Sequence, residues 1–461
     1  MRPGGSAKDS DELTDFFQIF YGLLPELSFS MKLVRLCLFT LTPRLRKGKY
    51  ILMPGPKSSS STRASMIALA IFASLFFALP ILAQDPAPAP APASPTPATL
   101  PTKPAEAAPA EVAAPASASV WTVGGIDFSG LVDGYYNFNA NHPPVSSNGN
   151  QLRNFDFDAN AFSLNMAKIT MAHDADPVGF RVDLGFGKAF DFILASEPHF
   201  AHLEQAFVSF KPKNGRGFEV DFGEFVTSAG AEVIETKDNW NYSRSLLFSY
   251  AIPYYHVGLR TSMPVTKALT AGVQLVNGWN NFSDNNSGKT VGFTGVYTKT
   301  KYTLSGNYYV GPENNQTNVG KRNLFDTTLL LTPTSKLNAY INYDYGQNRD
   351  ARATSSTQFV TSGLERWQGI AAALHYQFTP TLALAPRFEY YQDATGFTTG
   401  TQQNLNEFTL TGEYKRPEGL LFRVEYRRDN SNQQYFVKGS RLVNAQSTLE
   451  AGVVAFFGPK R

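Results

Sequence analysis

The chain has a single cysteine, Cys37, among 461 residues, and only 17% of its residues are charged. Beyond residue 83 it has no apolar run of the length, about 18 residues, that a membrane-crossing helix needs. Each scarcity removes a class of protein. One cysteine builds no disulfide framework and no thiolate metal centre. Soluble domains carry about 25% charged residues, so this surface has been depleted of charge. The mean hydropathy of −0.22 nevertheless argues against a helical membrane bundle. Excess basic charge is also missing from the body of the chain. Residues 1–83 hold ten Lys/Arg and five Asp/Glu, which leaves 31 basic against 33 acidic residues in the remainder. That balance excludes the electrostatic footprint of a nucleic-acid binder. What is present is 13% aromatic residues and 36 glycines, a composition that suits a chain apolar on one side only.

The first 119 residues read as targeting and spacing. Lys57 and Arg63 precede an apolar segment at 66–82, and Ala83 supplies the small residue of a cleavage site. Residues 53–83 therefore read as a signal peptide with Met53 as initiator; an uncleaved anchor helix is the alternative. Residues 1–52 have no secretory logic and read as an over-extended gene start. Residues 84–119 form a Pro/Ala-rich periplasmic linker, ten of the 29 prolines falling within 85–119. Such a segment buries no apolar surface and stays extended. A plain spacer and a cell-wall-spanning or partner-binding tether are its two readings.

From residue 120 to the end the pattern changes to period two. In IDFSGLVDGYYNF, Ile126, Phe128, Val132, Tyr136 and Phe138 share one face, and Asp127, Ser129, Asp133 and Asn137 share the other. Side chains alternate across a strand, so this is a strand with one apolar and one polar face. The template recurs, mixed at 161–171 and clearer at 179–187, 203–210, 218–225, 254–262, 268–277, 290–298, 302–310, 324–331, 337–345, 369–378, 382–391, 406–414, 420–427 and 448–457. That makes sixteen segments, most of the length of a tilted bilayer-crossing strand.

The connections decide what the strands build. They alternate long, short, long, short; the short ones include 173–178, 211–217, 299–301 and 379–381. Loops sorted in this way by parity are expected of an outer-membrane barrel, whereas a water-soluble sandwich has no reason to sort them. The sequence predicts an all-β, transmembrane, antiparallel up-and-down β-barrel of about sixteen strands. An even count places both termini on the short-turn, periplasmic side of a bacterial outer membrane. Aromatics form two expected girdles. Tyr135, Tyr136, Tyr254, Tyr255, Trp279, Tyr308, Tyr309, Tyr345, Tyr390 and Tyr391 lie toward the long loops. Phe210, Tyr297, Tyr302, Phe378, Tyr414 and Phe457 lie toward the short turns. The final strand, with its near-terminal Phe457, is similar to the signal read by barrel-assembly machinery.

Sixteen strands enclose a lumen wide enough for water, so function depends on the inward face. Alternation places Asp127, Asp133, Arg181, Asp183, His256, Arg260, Arg387, Glu389, Arg423, Glu425 and Arg427 there. These charges either pair and keep the lumen hydrated, or form a basic strip opposite an acidic one whose transverse field filters polar solutes. The longest connection, 227–252, carries Glu232, Glu235, Lys237, Asp238 and Arg244, but also Leu246, Leu247 and Phe248, poor choices for a solvated loop. A loop folded back into the barrel would bury them and narrow the channel; an extracellular lid or a trimer contact is the alternative. The candidate pore-lining and constriction residues are Glu232, Glu235, Asp238, Arg244, Arg260, Arg387, Glu389, Arg423, Glu425 and Arg427.

Residues 220–260 resemble the OmpL-like family of outer-membrane β-barrel porins. The resemblance rests on Gly223, Phe225 and Gly230-Ala231-Glu232, on Asn241-Tyr242-Ser243-Arg244-Ser245, and on Pro253 with His256-Val257-Gly258. LEQAFVSF at 203–210 and the opening GLVDGYYNFN are also similar. The resemblance spans about 124–457 and is specific around 203–260; where the family would place a Lys in the G-x-F step, this chain has Glu224. It implies a porin, with a homotrimer by analogy alone.

Rival classes have less to stand on. The six histidines show no defensible nucleophile–base spacing, which speaks against an outer-membrane hydrolase. No HExxH, cysteine cluster, complete calcium loop or phosphate-cradling glycine loop occurs, so no cofactor, metal or catalytic residue is expected. The acidic FDFDAN at 155–160 reads as a solvated loop end. A non-conducting adhesin or structural barrel would differ by a plugged lumen. The expectation is a porin for passive diffusion of small hydrophilic solutes or ions, its partners being outer-membrane lipid, those solutes and the assembly machinery.

Overall fold

The computed structural model describes residues 121–459 apart from 145, 146, 148, 196–199, 356 and 357. The expected gene-start extension, signal peptide and linker lie outside the described residues. Sixteen strands form one closed antiparallel sheet. They are β1 (Ile126–Asn139), β2 (Ala161–His173), β3 (Val178–Phe186), β4 (Leu203–Phe210), β5 (Glu219–Val226), β6 (Tyr255–Pro264), β7 (Leu269–Val276) and β8 (Thr290–Lys299). The second half is β9 (Tyr302–Gly311), β10 (Arg322–Thr334), β11 (Leu337–Ala353), β12 (Phe359–Thr379), β13 (Leu382–Asp393), β14 (Gln403–Arg416), β15 (Leu420–Ser431) and β16 (Ala445–Phe457). Each strand pairs with its sequence neighbours, and β16 pairs with β1 from Thr448↔Asn139 to Phe457↔Gly130. The ring is thereby closed, so no strand edge is left unpaired. A two-residue strand, Thr122–Val123, folds back on the base of β1.

The sheet is inside-out relative to a soluble protein. On β1, Val132 and Phe138 are exposed while Asp133 and Asn137 are completely buried. The same holds on β15, where Phe422, Val424 and Tyr426 face out and Arg423, Glu425 and Arg427 are buried. A continuous exposed apolar surface with a polar interior suits a lipid solvent. Among the described residues no helix is long and apolar enough to cross a membrane.

Two expectations need correction. Strand β11 runs on to Ala353 and β12 begins at Phe359, so most of 346–368 is a hairpin rather than a loop. Beyond the lipid band neither face needs to be apolar, and the alternation that marks a strand fades. The upper girdle is also only half present. Tyr135, Tyr254, Tyr255, Tyr309 and Tyr391 are buried inside the barrel, whereas Tyr308 and Tyr390 are exposed. A Tyr–Tyr pair on a strand must send one ring to each face, while Tyr254 precedes β6 and turns its hydroxyl to the inward loop at Ser249. At the short turns Phe210, Phe378, Tyr414 and Phe457 are exposed as expected. Gly419 shows how tight those turns are: its φ is +91°, and a Cβ there would lie 2.1 Å from the Phe456 carbonyl oxygen.

Candidate functional site

The connection between β5 and β6 leaves the wall and crosses the lumen. Its first residues bind the near wall: the Gly230 amide donates to Asp326 on β10 at 2.9 Å, and Asn307 on β9 donates to the Ser228 carbonyl at 3.0 Å. Its middle reaches β11–β15, half the ring away. Asn241 donates to the Ala385 carbonyl at 2.9 Å and to Thr411 at 2.7 Å, and Trp240 packs on Tyr340 and His375. The Tyr242 hydroxyl donates to Asp133 on β1 at 2.6 Å. The loop returns through a single π-helical turn, Leu247–Ala251. Leu246, Leu247 and Phe248 are buried there, so their apolar character has its explanation in an inward position.

Arginine forks fix this path. Arg387 on β13 bonds Glu232 at 2.7 Å and the Ser243 carbonyl at 2.8 Å, with Glu389 at 3.3 Å and Glu407 at 3.4 Å. Arg423 on β15 pairs with Glu413 at 2.7 Å. It also donates to the Thr236 carbonyl at 2.6 Å and to the carbonyl of Asn239. Arg427 pairs with Asp429 at 2.9 Å and donates to the Arg244 carbonyl at 2.6 Å. Glu425 accepts the Tyr242 amide at 2.6 Å and the Ser243 amide at 3.1 Å. A planar guanidinium can serve several acceptors at once, which a lysine ammonium does less rigidly. Within the loop, Arg244 donates to the carbonyls of Tyr242, Val233 and Ile234 and lies 4.5 Å over the Phe155 ring. Burial pushes the Arg244 pKa down, against the raising influence of Asp133 and Glu232.

Seven of the ten sequence candidates thus form one assembly: Glu232, Arg244, Arg387, Glu389, Arg423, Glu425 and Arg427. The other three stand apart. Arg260 pairs with Asp221 at 2.6 Å and lies over Phe207 and Phe225 on the opposite wall. Asp238 pairs with Lys237 at 2.5 Å and is partly accessible. Glu235 meets Lys168 of β2. Burial alone would raise the Glu235 carboxyl, but the adjacent Lys168 ammonium holds it below its ordinary 4.5. Across β13–β16 acids and bases interleave, so this wall is not a one-sign strip, and its charges pair with neighbouring strands and loop carbonyls.

Several partners escaped sequence reasoning, namely Glu407, Glu413 and Asp429 on the wall and Lys168 on β2. A further one is the β1–β2 connection, which also folds inward. Asn154 donates to the Ser249 carbonyl at 2.9 Å, and Arg153 bonds Asp156 at 2.7 Å and Asp429 at 3.0 Å. FDFDAN is therefore no solvated end: Phe155 and Asp156 are buried. One acidic group has metal-like geometry, with ligand oxygens of Asp183, Glu204 and Glu235 within 4.8 Å of one another. Its cation is already supplied: the Lys168 ammonium lies 3.0 Å from Asp183 and 2.5 Å from Glu204.

Residues 125–457 match the family described as "Putative beta-barrel porin-2, OmpL-like". No curated protein matches the chain. Solved structures resemble it at low identity. An anion-selective porin from Comamonas acidovorans is 9% identical with a TM-score of 0.49, over 72% of this chain and 99% of that one. Salmonella typhi OmpF in complex with daunomycin is 15% identical with a TM-score of 0.49, over 72% and 97%. The outer membrane channel DcaP of Acinetobacter baumannii is 11% identical with a TM-score of 0.46, over 72% and 97%.

Proposed function

Because the chain belongs to the OmpL-like family of β-barrel porins, we propose that it is a narrow, non-enzymatic diffusion channel for small hydrophilic solutes or ions. In this reading the 227–252 loop is the constriction, the signal peptide and linker deliver the barrel to the outer membrane, and both termini face the periplasm. Assembly as a homotrimer, with insertion by the barrel-assembly machinery, completes the proposal.

One observation carries it: the loop covers the β13–β15 wall of the lumen and leaves accessible polar groups on β3 and on its own surface. The wall charges of β13–β15 are buried beneath it. Accessible side chains remain on β3, where Arg181 is 37% exposed, and on the loop itself, where Lys237 is 30% and Asp238 35% exposed. Arg260 and Glu235 continue this strip, which mixes both signs, so solutes of either charge would pass between hydrogen-bonding walls. The buried β13–β15 wall favours one alternative, a barrel plugged by its own loop.

Single-channel recording of protein purified from outer membranes separates the two. A channel should show stepwise ohmic openings, and charge reversal at Arg181 and Arg260 should shift the reversal potential in a salt gradient. A folded barrel that stays silent would leave the plugged barrel as the better account.

A further inference from the structure

On the long-loop side of the inward loop lies a cavity of about 140 Å³, lined in part by the returning end of that loop at Ser249, Tyr250 and Ile252. Its walls are aromatic. Trp367 of β12 stacks on Phe397, with ring centroids 5.4 Å apart and planes 18° from parallel. Trp279 stands edge-on to Trp367 at 6.0 Å. The Arg322 guanidinium, at the start of β10, lies 5.0 Å from the Trp279 ring and 5.2 Å from the Phe397 ring. Asn280 and Thr398 add polar atoms to the lining.

The arginine is the unusual element. Its Nε donates to Asn348 at 3.1 Å, yet Arg322 forms no ion pair among the described residues. Every other inward arginine named above except Arg244 has a carboxylate, and Arg244 has carbonyls. Glu313 and Asp350 lie near enough to act on Arg322 through charge but spend their hydrogen bonds on other donors. Glu313 accepts Thr290 at 2.5 Å and the Trp279 amide at 2.9 Å, and Asp350 accepts Asn348 at 2.5 Å. Two aromatic faces hold the guanidinium plane, leaving its outer nitrogens for a bidentate acceptor. The cage is also pre-shaped. Asp393 accepts the amides of Gly396, Phe397 and Thr398 at 2.9 Å each and of Thr399 at 2.7 Å, fixing the turn that carries Phe397.

We propose that this pocket binds a small carboxylate carried on a six-membered ring, the carboxylate on Arg322 and the ring against the aromatic wall that the contacting Trp279, Trp367 and Phe397 rings form. A cavity of about 150 Å³ holds a benzene ring, so the ring alone takes up this space and the carboxylate must lie at its edge, on Arg322. Aromatic walls accept either a benzene ring or the C–H faces of a pyranose, so benzoate and glucuronate are the two sources of one chemistry. The inference rests on the channel reading only for how the ligand arrives; binding is measured in detergent and conduction in a bilayer, so each can fail alone.

Two of the four tryptophans line the pocket, which makes fluorescence the readout. At constant ionic strength, benzoate or glucuronate should quench saturably, and the matched neutral compound, benzyl alcohol or glucose, should bind at least about tenfold more weakly. Quenching by benzoate alone assigns an aromatic acid, and by glucuronate alone a sugar acid. Arg322→Gln should lose the response while Arg416→Gln, in a short turn at the other rim, keeps it. Equal binding of benzyl alcohol and benzoate in the unaltered protein would overturn the proposal without any variant. So would acetate binding as tightly as benzoate, or an Arg322→Gln protein of native circular dichroism that binds unchanged.

Discussion

Arg387 and Glu232 meet at 2.7 Å although 155 residues separate them, one on the barrel wall and one at the base of the loop that crosses the lumen. Neither side chain is more than 4% exposed. The pair ties the loop to the far wall, and Glu389 and Glu407 lean on the same cation.

Replacing Arg387 by Met should therefore leave three carboxylates without their shared cation. Removing one partner of a buried pair costs about 3–5 kcal/mol. The denaturant midpoint, followed by tryptophan fluorescence in detergent, measures this; a loss under about 1 kcal/mol would show that the wall charges are hydrated after all.

Arg423 tests geometry rather than charge. It serves Glu413 and three loop carbonyls from one planar fork. Arg423→Lys keeps the charge but cannot reproduce those contacts, so open-channel current noise should rise. A lysine variant as quiet as the unaltered protein would remove the fork from the account.

Acid should loosen the loop late. Glu235 titrates below its ordinary 4.5 because Lys168 lies against it. A carboxyl depressed by folding contributes its stabilisation above the unfolded-state value and loses it as pH falls through the folded-state value. The Glu235–Lys168 contribution should thus be constant through mildly acidic solution and disappear only below 4.5. The acid-induced change in conductance, compared with that of Glu235→Gln, isolates it; equal curves would assign the transition elsewhere.

Close approach makes a fourth handle on the loop. A Cβ on Gly452 of β16 would lie 2.2 Å from the Tyr242 ring, and ring carbons cannot yield as a flexible chain end does. Gly452→Ala should cost about 1–3 kcal/mol by overpacking and break the Tyr242–Asp133 hydrogen bond. Protease sensitivity of the loop should rise in parallel, and unchanged sensitivity would count against the packing.

The outer face gives a test independent of the lumen. Val424 is 58% exposed at the middle of β15, where lipid tails would cover it. Val424→Arg should cost about 2–4 kcal/mol in a bilayer and little in detergent micelles. Equal cost in both would contradict the lipid-facing assignment.

Alternation alone revealed all sixteen strands, because a strand between lipid and water must separate its two faces. It also placed Arg387, Arg423 and Arg427 inside. The loop's inward path was legible in Leu246, Leu247 and Phe248, whose exposure would be costly. The partners were not legible. That Arg423 meets Glu413 follows from their being directly opposite on β15 and β14, and register is invisible in a single strand's pattern. Phe155 failed for a related reason: among Asp and Asn neighbours it looks solvated, and what covers it, Arg244, Phe248 and Tyr254, begins 89 positions later in the chain.

The contacts of the crossing loop fall on both sides of one particular line. Asp133 and Lys168 hold it on β1 and β2, while Glu425 and Arg423 hold it on β15. Between them runs the junction of β16 with β1, where the last strand meets the first. Every other strand junction is bridged by a covalent connection at one rim; this one is not. The loop is therefore an internal clasp over the only place where the cylinder could unzip without breaking a turn. It also cannot be fastened until the final strands have been made, so closure of the wall and furnishing of the interior should complete together.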